Sequence, residues 1–143
     1  MVLASADGRL EITVLEVQPP VPAASAGGDI QVRVTIRVGA FAGAVSTWID
    51  GDVWAAFVEE LQQLERTRQG EANLHSMSPD DELRLRFHSL DRAGHMGVEG
   101  SLIQNVYPIG KGPRPVRLQF GAFEFDAGLL ANFVIEMAAA CGE

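Results

Sequence analysis

The stretch DGDVWAAFVEELQQLERTR (Asp50–Arg68) decides the fold. Trp54, Phe57, Val58, Leu61 and Leu64 recur at the three- and four-residue spacing that lines one face of a helix, while Glu59, Glu60, Gln62 and Gln63 occupy the other. Asp50 or Asp52 is placed to cap it, because a carboxylate there accepts the unpaired first-turn N–H groups and meets the positive end of the dipole. Gly70 is placed to end it. A helix with one apolar stripe must lay that stripe against another element, and the segments on both sides alternate like strands.

On the N-terminal side, Arg9–Val17 puts Leu10, Ile12 and Val14 on one face and then changes parity to Leu15 and Val17, the sign of a bulge or a strand end. QPPVPAASAGG (Gln18–Gly28) has prolines without ladder donors and small residues that bury little, so it reads as a mobile surface loop. Asp29–Val38 is the clearest strand, with Ile30, Val32, Val34, Ile36 and Val38 inward and Gln31, Arg33, Thr35 and Arg37 outward. Ala40–Ile49 follows after Gly39, with Phe41, Val45 and Ile49 inward. Trp48 falls on the opposite face, where either a neighbouring loop covers it or it anchors a partner.

Beyond the helix, strands are expected at Glu71–Met77, Glu82–Leu90, His95–Val106 and Val116–Phe125. SPDD (Ser78–Asp81) and DRAG (Asp91–Gly94) supply the residues of tight turns, which makes neighbouring strands antiparallel. PIGKGPRP (Pro108–Pro115) is a further loop, and Gly121 is a site for a kink. Val116, Leu118 and Phe120 should face inward. Asp126 caps a second helix, where Leu130, Phe133, Val134 and Met137 repeat at helical spacing. The expected fold is α+β: an antiparallel sheet of about seven strands in the order β-β-β-α-β-β-β-β-α, both helices on one face, residues 1–143 forming one domain.

Composition narrows the function classes. A chain of 143 residues, 47% hydrophobic and 21% charged, can bury roughly two thirds of its unfolded surface without disulfides or metal. No apolar run approaches the roughly 20 residues that span a bilayer, and charge interrupts the N-terminus before a signal core forms, so a cytoplasmic protein is expected. Cys141, the sole cysteine, excludes an internal disulfide and reads as a small apolar residue at a helix end. A net charge of −8 disfavours nucleic acid as a direct partner and is compatible with a basic protein.

The residues able to carry chemistry are sparse. His75, His88 and His95 lie on consecutive strands, without metal-ligand spacing and without a nucleophile in a recognisable turn. Neither a cofactor nor a metal is implied, and no catalytic residue is assigned. The run Asp80, Asp81 and Glu82 starts directly after Pro79, which suits a turn projecting its charges into water. With Glu59, Glu60 and Trp48 it forms the candidate partner-binding set, the alternative being a merely solvated face.

Four stretches carry a family likeness. The helix segment WAAFVEELQQLE (Trp54–Glu65) is followed by GEANLHS (Gly70–Ser76), GHMGVEG (Gly94–Gly100) and LQFGAFEFDAGLL (Leu118–Leu130). In this order and at this spacing the chain, from about Glu11 onward, resembles the WapI-like immunity proteins of bacterial polymorphic toxin systems and related small proteins. The resemblance implies an intracellular, non-enzymatic antitoxin that binds the toxic C-terminal domain of a partner, often a nuclease, and carries over no catalytic residues. Two other classes stay open from the residues themselves: an enzyme that gathers two of the three histidines in one pocket, and a domain that scaffolds or forms homo-oligomers through an open sheet edge or Trp48.

Overall fold

A computed structural model describes residues 1–19, 28–77 and 82–140. Its elements run β1 (Val2–Ala4), β2 (Gly8–Val17), β3 (Ile30–Val38), β4 (Phe41–Ile49), α1 (Gly51–Thr67), β5 (Glu71–His75), β6 (Leu83–Ser89), β7 (Met96–Val106), β8 (Arg114–Phe125) and α2 (Ala127–Ala139). The α+β class, the antiparallel pairing and the position of each helix follow the sequence reading. Two features do not. The strands divide into two four-stranded sheets, β1-β2-β3-β4 and β5-β6-β7-β8, and β1 is an additional strand. Three residues are too few to show alternation, yet Leu3 is fully buried opposite Leu10.

The division has a physical cause at β5. Helix α1 lies along that strand, and the Glu60 carboxylate accepts the Asn73 N–H at 2.8 Å on the side where β4 could otherwise have paired. The sheets meet by backbone further along, where Met77 N–H donates to the Trp48 carbonyl at 2.9 Å. They approach closely at two glycines. A Cβ on Gly43 of β4 would stand 2.9 Å from the Leu118 side chain, and one on Gly8 of β2 would stand 3.1 Å from the Phe123 ring. The first sheet therefore crosses the second over β7 and β8.

The helices begin as their sequences require. Asp50 accepts the Asp52 N–H at 2.9 Å, Asp29 adds a bond from the Gly51 N–H at 3.2 Å, and Asp126 accepts from Gly128 at 2.8 Å. The end of α1 falls two residues earlier than expected: Arg68 is the cap, left-handed at φ 57° with its N–H bonded to the Leu64 carbonyl, and Gly70, also at positive φ (94°), follows it. The parity change in β2 is a register shift between Val14 and Glu16. Another shift falls where Gly121 and Ala122 together oppose Glu99. Phe41 and Val116, expected inward, are 71% and 56% exposed. They lie near strand ends, outside the overlap of the two layers.

One buried cluster draws on both sheets and both helices. Phe87 of β6 is its centre: ring centroids lie 5.5 Å from Phe57 of α1, 5.8 Å from Phe133 of α2 and 6.4 Å from Phe125 of β8. Both helices thus meet the inner face of the second sheet at one ring, and α2 also reaches β1. The ends of QPPVPAASAGG flank residues 20–27, and the SPDD turn and Cys141 likewise lie outside the described residues. Replacement of Phe87 by Ala is expected to lower the unfolding free energy by about 3–5 kcal/mol in urea denaturation followed by tryptophan fluorescence. A loss under about 1 kcal/mol would contradict its central place.

Candidate functional site

The outer face of the second sheet collects polar side chains because every second residue of its strands points away from the core. Arg86 is the hub there. Its Nε donates to Glu71 Oε2 at 2.6 Å and its Nη1 to Glu99 Oε1 at 2.7 Å, joining β5, β6 and β7 across the ladder. The bond from Arg86, followed by one from Asn73, holds the Glu71 carboxyl below its ordinary range, and the two carboxylates hold Arg86 above its own. All three side chains are a third to a half exposed, so water screens the network and its contribution to stability is small.

The histidines do not converge. His88 Nε2 is 3.1 Å from Glu99 Oε1 without hydrogen-bond alignment, and His88 Nδ1 faces the Ser89 carbonyl at 3.1 Å. His75 lies one strand over, opposite Arg84, four residues along β5 from the Glu71 that faces His88, or about 13 Å at strand rise. His95 stands outside the sheet, paired through Nδ1 with Asp91 Oδ2 at 2.5 Å in the β6–β7 turn. An open groove of about 330 Å³ on this face includes His75, Arg84, Arg86 and Glu99, and so holds one imidazole. Among the described residues no group of three or more His, Cys, Asp or Glu side chains could hold a metal ion.

The family model for immunity proteins of the WapI-like type matches residues 1–142, all but the last residue of the chain. The chain belongs to the WapI-like immunity protein family. No curated protein and no solved structure matches it.

In this WapI-like chain the candidate partner-binding residues are not gathered in one patch. Trp48 is partly buried on β4, opposite Gln31. Glu59 is exposed on α1, whereas Glu60 is partly buried and closes the edge of β5. Glu82 is partly buried before β6, in an open groove with Arg33 and Tyr107, and its carbonyl accepts the Ile103 N–H. Asp80 and Asp81 lie outside the described residues.

A different surface escaped the sequence reading. Strands β7 and β8 continue past the end of β6 as a two-stranded ribbon, pairing down to Val106 and Arg114. Val106, Tyr107, Ile109 and Val116 are exposed on it, Tyr107 at 73%. Beside its base, Val38, Phe41, Leu118 and Phe120 line a groove of about 400 Å³. The signal was present as VYPI (Val106–Ile109), four bulky residues running into a turn, where water-facing polar residues are the norm. No helix among the described residues is long and apolar enough to cross a membrane.

The Asp91 carboxylate, chiefly through its hydrogen bond, raises the His95 pKa above the ordinary 6.5, and His95 lowers that of Asp91. With the folded value raised, the contribution of His95 to stability is full below pH 6.5 and lost as pH rises through the folded value. In an NMR titration, Asp91→Asn is expected to return His95 toward 6.5; an unchanged midpoint would remove the assigned cause.

Proposed function

We propose that the protein is an intracellular antitoxin that binds the toxic domain of a partner protein and neutralises it by contact, without chemistry of its own. The single observation that carries this reading is the family match across residues 1–142. The separated histidines and the exposed apolar ribbon support it, since a binder needs surface and an enzyme of the kind considered needs two imidazoles in one cleft.

The toxin is proposed to be a nuclease. Nuclease domains neutralise phosphates and are commonly basic, so a partner of net charge −8 gains association rate by electrostatic steering. Trp48, Glu59, Glu60, Asp80, Asp81 and Glu82 are the proposed contributors, the carboxylates through the field they project more than through tight pairs. Steering acts at a distance, so these groups need not form one patch.

Co-expression of the toxin domain encoded beside this gene should be lethal alone and tolerated with the protein present, and the two should copurify. Unrelieved toxicity together with no complex would sink the reading. In stopped flow, association should slow at least about tenfold between low and high salt, and more weakly for Glu59→Lys, which lowers the steering charge. A salt-independent rate would remove the electrostatic part.

A further inference from the structure

The four outer strands of the two sheets are not equivalent. Strand β1 has three residues, β4 uses the Trp48 carbonyl to hold Met77, and β5 is closed by α1 and Glu60. Strand β8 is twelve residues long, and among the described residues its backbone pairs with β7 alone. A long unpaired edge is a template for another strand unless it is blocked.

The direction of its free groups follows from one bond. Ile103 N–H donates to the Glu82 carbonyl at 2.8 Å, toward the β6 side of β7. Ile103 stands opposite Arg117, so antiparallel alternation turns the Arg117 N–H and C=O away from β7, and those of Gln119 with them. Pro115 has the same parity and fits, because a proline on an edge strand places its missing donor on the open side.

Side chains around this edge specify what would pair there. Val38, Phe41 and Leu118 offer an apolar groove of about 400 Å³. Between Glu99 and Glu124 the only charged residues are Lys111, Arg114 and Arg117, in a chain of net charge −8. A second copy added edge to edge along residues 114–120 would bring two sets of these cations together, with repulsion between like charges directly opposite. An extended segment carrying carboxylates has the matching sign.

We propose that β8 accepts, by strand addition, an extended segment of the protein partner in which carboxylates alternate with apolar side chains. Backbone bonds form to Arg117 and Gln119, apolar side chains enter the groove beside Phe41 and Leu118, and carboxylates on the opposite face meet Arg117. The inference rests on the toxin-binding reading above and assigns that function a surface. It also gives the interface two polarities, an acidic body that steers and a basic edge that fixes register.

Amide hydrogen exchange on the whole chain, free and mixed with the neighbouring toxin domain, tests it. The Arg117 and Gln119 amides should exchange fast in the free protein and slow at least about tenfold in the complex. Arg117→Glu should raise Kd at least about tenfold, while Arg117→Lys should change it by less than about threefold. Circular dichroism confirms that each variant folds, which exposed positions favour. A complex that leaves both amides unprotected overturns the inference while the antitoxin reading stands; absence of any complex removes both. Protection in the free protein that grows with concentration, with a doubled solution mass, assigns the edge to a second copy and also overturns it.

Discussion

Phe87 imposes the constraint on which the rest of the structure depends. One ring on β6 must meet α1, α2 and β8 at centroid distances of 5.5–6.4 Å, and interiors packed at crystal-like density leave little room for any of the three to move alone. Helix α1 is thereby held against the β5 side of the second sheet and α2 is held where it can touch both α1 and β1. The first sheet then has one place left, across β7 and β8, and Gly8 and Gly43 allow that crossing because neither carries a Cβ to hold Phe123 or Leu118 away.

The same arrangement explains why one edge is open and another shut. Fixing α1 beside β5 brings Glu60 to the Asn73 N–H and removes that edge from use. At the other end of the sheet no helix is available, since α2 begins directly after β8 and turns back into the core through Leu130, Phe133 and Met137. The ribbon past β6 has a strand on neither side, which is why Tyr107, Ile109 and Val116 face water. This exposed apolar surface adjoins the β8 edge proposed above as the contact surface.

Much of this was legible from residue order. The alternation of Ile30 to Val38, the helical stripe from Trp54 to Leu64, the caps Asp50 and Asp126 and the parity change at Leu15 all correspond to observed features, because each depends on neighbours within a few residues. The likeness carried by GEANLHS, GHMGVEG and LQFGAFEFDAGLL agrees with the family match. The candidate site was less legible. The partial burial of Trp48 and the engagement of Glu60 depend on what a distant segment brings alongside, and alternation within β4 or α1 contains no information on that.

Sequence alone determined the class of fold, the order of the elements from β2 onward, the caps that start both helices and the net negative charge; these are local or additive properties of the chain. Only the tertiary structure decided that the strands form two sheets instead of one, that α1 closes β5, and that β8 and its ribbon stay open with Arg114 and Arg117 on the free edge. Which edge is left unpaired is settled by the packing of every other element at once, through contacts between residues far apart in the chain, and no local pattern records that competition.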